Sequence, residues 1–156
     1  MPLKAVFETA LEDTWNATEG GIIGDKPGDI RWEANKCYKC VISSGALDFV
    51  AGDVVGYVDN TGYAAHTVSG TVSETGDVGA GVAQAAVTEA DIRFWVQVKG
   101  PATLNTTLTV GATNGRALTL LGANNLTLDL SGLVTDFIVA CTVDDANDEI
   151  ICDFPF

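Results

Sequence analysis

Four cysteines and a single histidine are the residues of this 156-residue chain whose types could support metal or redox chemistry. Cys37 and Cys40 form a C-x-x-C pair, a spacing that zinc sites and redox enzymes use when both sulfurs converge. The pair lies in a Tyr/Val-rich stretch typical of a β-strand, where positions three apart face opposite sides. The two sulfurs would then point away from each other, which argues against a shared metal and favours buried, reduced thiols.

The other two cysteines, Cys141 and Cys152, flank a predicted C-terminal hairpin. If its turn centres on Ala146 and Asn147, the two strands share one wholly apolar face, which supports that register. The register pairs Val143 with Ile150, Cys141 with Cys152, and Val139 with Phe154. A cross-strand disulfide between Cys141 and Cys152 is therefore a hypothesis, and counting free thiols would test it.

Two further features could support chemistry, but a surface role explains each of them better. Any Ser-His-Asp or Cys-His arrangement would need His66, yet its small neighbours are typical of a half-exposed strand or loop, and no G-x-S-x-G elbow is present. Four acids crowd one turn, Asp144, Asp145, Asp148 and Glu149, and closely spaced oxygens can bind Ca²⁺. The order of an EF-hand is absent. We therefore predict no catalytic residue, no cofactor and no metal site, and hence no enzyme.

The composition narrows the classes of protein further. A chain of 156 residues favours one domain that buries about 70% of its extended surface. Asp and Glu total 21 against 8 Lys and Arg, so the formal net charge is −13. Such a charge repels phosphate backbones, which argues against nucleic-acid binding and favours docking on a basic or mixed surface. The longest apolar run, residues 137–143, is too short to span a bilayer, and no signal peptide is apparent.

Short strands separated by Gly, Asn and Asp turns predict an all-β domain over residues 31–156, either a compact β-barrel or a β-sandwich of antiparallel strands. The main predicted strands are residues 30–33, 36–42, 54–58, 79–87 and 94–99. In the last of these, Phe94, Val96 and Val98 point to one side, and Trp95 points to the other. The Gly-Pro sequence at 100–101 should end the pairing, because proline has no N–H to give to a ladder.

Residues 1–30 are predicted to form an N-terminal arm and hinge. The apolar residues 3, 6, 7, 10 and 11 share one helical face, but a helix shorter than ~12 residues needs something to dock on. Glycines and a proline between residues 20 and 28 then make a hinge-like stretch. A frayed N-terminus is the alternative. Because most tryptophans are largely buried, Trp32 and Trp95 are assigned to the core, and Trp15 in the arm is the better interface residue.

Four short segments, taken in order, carry a resemblance to a known class of protein. They are Asn-Lys-Cys-Tyr-Lys-Cys-Val at 35–41, Ala-Gly-Asp-Val-Val-Gly-Tyr-Val at 51–58, Gly-Ala-Gly-Val-Ala at 79–83, and Trp-Val-Gln-Val-Lys-Gly at 95–100. Together they resemble small structural proteins encoded near the capsid genes of tailed bacteriophages, some of which are head decoration, or cement, proteins. The resemblance covers about residues 35–104.

The resemblance implies a compact β domain, without enzymatic activity, that binds the outer capsid surface and stabilises the shell, often as a homotrimer. The expected partner is the major capsid protein, with no nucleic acid and no membrane involved, and the protein would be made in the host cytoplasm. The arm supplies the capsid-interface candidates, which are Leu3, Phe7, Leu11 and Trp15. The alternative is a host- or glycan-binding adhesin on the virion surface, which would need an exposed aromatic platform.

Overall fold

The computed structural model describes residues 9–16, 25–45, 48–58, 63–70, 78–108, 114–120, 126–133 and 136–155. The strands of these residues, in chain order, are β1 (Trp15–Asn16), β2 (Ile30–Glu33), β3 (Lys36–Ser43), β4 (Val54–Tyr57), β5 (Thr67–Ser69), β6 (Gly79–Ala83), β7 (Ile92–Thr103), β8 (Ala117–Leu120), β9 (Leu128–Leu130), β10 (Ala140–Asp144) and β11 (Glu149–Asp153). The prediction of an all-β fold is confirmed. No helix among the described residues is long and apolar enough to cross a membrane.

Five strands, β3 to β7, close into a barrel, which decides between the two predicted architectures. The order around the barrel is β3-β5-β4-β6-β7, and β7 pairs back with β3. The β3–β5 pair is parallel and the other four are antiparallel. Branched and aromatic side chains from all five strands fill the interior, including Val41, Val55, Val68, Val82 and Phe94. Closure matters because a closed sheet has no free edge along its paired residues.

β7 is the strand on which the whole sheet is built. β3 lies along one of its edges, and β1, β6 and β11 follow one another along the other edge. The predicted alternation is confirmed, because Phe94, Val96 and Val98 join the main core while Trp95 packs outside it with Tyr38. The outward branch of the sheet continues from β11 to β10, β8 and β9.

The prediction that pairing stops at Gly100 and Pro101 is wrong, because β7 runs on to Thr103 opposite β11. The backbone N–H of Phe154 donates to the carbonyl of Val98 over 2.9 Å, so the even-numbered residues of β7 make the hydrogen bonds to β11. In an antiparallel ladder the intervening residues turn their polar groups the other way. Pro101 occupies such a position, and the ladder therefore loses no donor to it.

The C-terminal hairpin pairs one residue away from the predicted register. The observed pairs are Ala140–Cys152, Cys141–Ile151, Thr142–Ile150 and Asp144–Glu149. A bulge between Thr142 and Asp144 adds Val143 to β10, and a 3-10 turn over Asp145–Asn147, ending at a left-handed Asp148, closes the loop. Because a slip of one residue reverses the face of a strand, Cys152 enters the core and Cys141 turns to solvent. The predicted pairs are therefore wrong, and the disulfide hypothesis loses its geometric basis.

The alternation pattern predicts the bounds of β2 but not the burial of its tryptophan. Its bounds and those of β3 are close to the prediction, and the turn between them contains Ala34 with φ 50°. Trp32, however, is 59% exposed, so its assignment to the core is wrong, whereas Trp95 is fully buried as predicted. The reason is that β2 lies at the end of the sheet order, outside the barrel, and among the described strands it pairs with β3 alone.

Gly100 offers a test of how tightly β7 packs where it leaves the barrel. A Cβ atom there would lie 2.3 Å from the carbonyl oxygen of Asn35, and φ is +92°. Gly115 is the matched control, because its φ is +81° and no atom of the described residues lies within 4 Å of an added Cβ. We expect Gly115→Ala to lower the free energy of unfolding by about 1–2 kcal/mol, and Gly100→Ala by at least about 3 kcal/mol. Urea denaturation of the two variants measures this, and equal losses would contradict a backbone clash at Gly100.

Candidate binding surfaces

Residues 9–16, here called the N-terminal strap, lie against the outer wall of the barrel. Leu11 and Trp15 pack on a small buried cluster formed by Tyr38, Cys40 and Trp95. The strap also adds β1 to an edge of β7. Two of the four capsid-interface candidates therefore contact the protein's own domain, while Leu3 and Phe7 lie outside the described residues.

Thr9 anchors the strap through both its side chain and its backbone. Its hydroxyl donates to Oδ2 of buried Asp25 over 2.5 Å and accepts from Nε1 of Trp95 over 3.0 Å. Its carbonyl accepts from Nη1 of Arg31 over 2.8 Å. A buried indole N–H needs an acceptor, so Thr9 satisfies Trp95 and fixes the point at which the strap meets the barrel. Sequence reasoning missed Thr9, because its partners are distant in the chain.

Lys39 is a buried charge that the strand pattern did not single out. It is 3% exposed, and its Nζ donates to the hydroxyl of Tyr57 over 2.8 Å. The same nitrogen lies 5.1 and 5.3 Å from the ring centroids of Tyr57 and Tyr63, within the range of cation–π attraction. Burial lowers the pKa of Lys39 and raises that of Tyr57. The period of a strand could have indicated this burial. Alternate positions share a face, so Lys39 faces the same way as Cys37 and Val41, which point into the core.

His66 packs beside this cluster rather than at an open surface. It is half-buried and has φ 57°, and its Nδ1 is buried without a hydrogen-bond partner among the described residues. A Cβ atom on Gly28 would lie 2.6 Å from its Nε2, so the ring rests against that glycine. Burial, and secondarily the charge of Lys39, lower the pKa of His66. This environment favours a neutral imidazole, and no acid or nucleophile among the residues described here joins it in a triad.

The cysteines are arranged for packing rather than for chemistry. Cys37 belongs to the main core and Cys40 to the cluster outside it, which confirms that their sulfurs lie on opposite faces. Burial raises the pKa of both thiols, and raises the pKa of Cys152 to about 12. The four thiols are free, and Cys141 alone is exposed.

Hydrogen bonds of the turn occupy part of the acidic group at residues 144–149. Asp144 caps the 3-10 turn by accepting from the backbone N–H of Ala146 and from the amide of Asn147. Asp148 accepts from the backbone N–H of Leu108 over 2.9 Å. In the part of the chain that the structure describes, no three acids, cysteines or histidines converge on a position that could hold a metal ion.

The exposed side of β7, β11, β10 and β8, here called the outer sheet face, carries an unusual apolar row. Pro101, Ile151, Cys141 and Ala117 are successive cross-strand partners, and each of them is exposed. Val143 extends the row on β10 and is 42% exposed. Solvent-facing sides of antiparallel sheets are normally polar. A contiguous apolar row there is a feature of interaction surfaces.

Two other exposed apolar groups also lie outside the barrel. Ile30 and Trp32 share one face of the edge strand β2. Leu133, Phe137 and Ile138 are exposed between β9 and β10. The large apolar side chains that face solvent are thus concentrated on segments attached to the barrel.

Comparison of the chain with protein-family models, with curated proteins and with solved structures finds no match in any of the three. The functional assignment therefore rests on the residues and on the surfaces that they form.

The placement of the cysteines predicts a simple thiol count. In the native protein, Cys141 should react with a thiol reagent at a rate near that of a free peptide thiol, while the other three stay protected by burial. In urea, all four should react. Quantitative reaction with Ellman's reagent checks this, and Cys141→Ser should abolish the fast native reaction. Two reactive thiols in non-reducing urea would instead establish a disulfide.

The environment of His66 predicts a stability that depends on pH. A histidine whose folded pKa lies below its unfolded value stabilises the fold above about pH 6.5, and this contribution is lost as the pH falls through that value toward the folded pKa. We compare the wild type with His66→Asn, since asparagine tolerates a positive φ. The difference in free energy of unfolding, measured by urea denaturation, should shift against the wild type between about pH 7 and pH 5. A difference that is constant over this range would contradict the burial of a neutral imidazole.

Proposed function

We propose that this chain is a structural protein of a bacteriophage virion that binds the outer surface of the capsid. It stabilises the shell by linking major capsid subunits. The observation that carries this proposal is the position of the exposed apolar side chains. Trp32, Val143 and Ile151 lie on strands outside the barrel, whereas the inward-facing apolar side chains of the barrel strands are buried in the main core. Such a division between scaffold and adhesive surface suits a protein that works by docking.

The resemblance described above adds support. Its four segments contribute to β3, β4, β6 and β7, which are four of the five barrel strands. The strap and the outward branch of the sheet lie beyond those segments. A shared barrel with individual attachments fits a class of proteins that decorate different shells.

The buried polar groups favour a binding role over a catalytic one. Nζ of Lys39 donates to the hydroxyl of Tyr57 and lies against the rings of Tyr57 and Tyr63, with His66 close by. Lys39 as a whole is only 3% exposed. We accordingly propose that the protein has no enzymatic activity.

The proposal retains an N-terminal arm that contacts the capsid but limits it to the residues before Thr9. Leu11 and Trp15 are engaged by the barrel, so the residues before Thr9, including Leu3 and Phe7, are the arm that would contact a capsid subunit. Thr9 would fix its point of departure. Self-association as a homotrimer, assembly on the virion and synthesis in the host cytoplasm remain part of the proposal.

One observation favours a second candidate, a host- or glycan-binding adhesin. Trp32 is 59% exposed and stands beside Ile30 on the solvent side of an edge strand. An exposed indole is the kind of platform on which a sugar ring stacks. Binding of the purified protein to a glycan array, lost in Trp32→Ala, would select this function over capsid binding.

Capsid binding can be tested with empty shells assembled from the major capsid protein of the same phage. We expect the full chain to co-sediment with the shells and to raise their thermal disruption temperature. A truncated protein lacking residues 1–8 should keep its own melting temperature, because the strap remains, and should bind more weakly.

The two parts of this proposal fail separately. Absence of binding by the full chain would refute capsid decoration. Equal binding by the truncated and full-length proteins would refute the arm alone and leave the decoration function in place.

A further inference from the structure

We propose that the outer sheet face is the docking surface for the capsid and that it takes a protein partner with an apolar centre and basic residues beside it. This inference rests on the proposed function and names the surface and the partner chemistry. It is carried by the apolar row, a groove that adjoins it, and the distribution of charge around both.

The apolar row is held rigidly because the opposite face of the same strands is buried in the core. Ile150 and Cys152 alternate with Ile151 on β11 and are buried in the core, and Leu118 does the same for β8. β11 is paired on both edges, with β7 and β10. A surface that is ordered before binding loses little conformational entropy when a partner docks, which favours affinity.

The exposure of these residues is not required by the core. The bulge at Val143 and the register of β10 against β11 place Val143 and Ile151 on the solvent side, at 42% and 49% exposure. Polar residues at these positions would be compatible with the fold, because an antiparallel sheet tolerates a polar outer side. Burial against a partner accounts for the apolar side chains at these exposed positions.

A groove of about 200 Å³ adjoins the apolar row, so this surface is not flat. Pro101, Val143 and Ile150 supply apolar walls, and Lys36 and Glu149 stand among the lining residues. A groove of this kind accepts a projecting side chain of the partner, and buried anchors of that type contribute most of the affinity of protein interfaces.

Charge decides between a second copy and a different partner. The acidic turn, Asp144, Asp145, Asp148 and Glu149, borders the face at the end where Glu149 pairs with Thr103. At the other end Lys99 forms an ion pair with Asp153, so its charge is balanced. Two copies meeting through this face would bring together two chains that each carry net charge −13 and an acidic turn beside the contact. A basic rim on the partner removes that repulsion and adds attraction.

Cys141 provides a native reporter, since it lies in the row and is the one exposed cysteine. The full chain is mixed with empty capsid shells, treated with a maleimide reagent, and its labelling rate is measured by mass spectrometry. We expect Cys141 to label rapidly in the free protein and to be strongly protected on the shell. Rapid labelling of shell-bound protein would overturn the inference while leaving the decoration function intact.

Substitutions test the apolar row. Ile151→Lys and Val143→Lys should each weaken shell binding about tenfold or more, whereas Ile151→Val should retain it. Val50→Lys is the matched control, because Val50 is 45% exposed but lies in the connection before β4. Unchanged melting temperatures establish that each variant is folded. Equal weakening by the Val50 control, or no weakening by either row variant, would overturn the assignment of this face.

Two charge-reversal variants test the contribution of the acidic turn. Asp145→Lys alters the acidic turn, and Glu89→Lys makes the same change near the opposite end of β7. We expect the first to weaken shell binding and reduce its salt dependence, and the second to change neither. Protection of Cys141 that rises with protein concentration in the absence of shells would overturn the basic partner and establish a second copy as the occupant. If the wild type fails to bind shells, the proposed function falls, and the capsid partner of this face falls with it.

Discussion

The pairing of β7 on both edges is the constraint on which the remaining structure depends. Its first half closes the barrel between β3 and β6, and its second half carries β11 and, through it, β10, β8 and β9. Gly100 stands between the two halves with φ +92°, where only a glycine allows the close approach of Asn35. One continuous strand thereby joins a closed scaffold to an open sheet.

This connection places two surfaces at opposite ends of the same strand. The strap meets β7 at Arg93, near its start, and the acidic turn meets it at Thr103, its last residue. The ten residue steps from Arg93 to Thr103, at about 3.3 Å each, span at most roughly 33 Å. A protein with contacts at both ends could touch two neighbouring subunits of a shell, which is the geometry that cross-bridging needs. The rigid strand between the contacts would then transmit the restraint.

The sequence predicts which side chains of a strand share a face, because this depends only on local alternation. The inward set Phe94, Val96 and Val98 and the opposed sulfurs of Cys37 and Cys40 follow from the period of a strand. Features that depend on a distant partner were missed. Whether Pro101 breaks a ladder depends on which way β11 hydrogen-bonds. Whether Trp32 is buried depends on which strands flank β2, and of the described strands only β3 does so.

The candidate site was harder to predict for the same reason. The row across β7, β11, β10 and β8 is assembled from residues separated by up to 50 positions, and a one-residue bulge decides which of them face solvent. Thr9 and Lys39 acquire their roles from Trp95 and Tyr57, which no local pattern connects to them. Charge, by contrast, could be read from composition alone. With a formal charge of −13, the chain resists association with its own copies through an exposed apolar row, because approach costs electrostatic work before apolar contact is made. A basic partner would reverse the sign of that work, so under the proposed function the charge that disfavours the pairing of two copies through this row would favour burial of the row against the capsid.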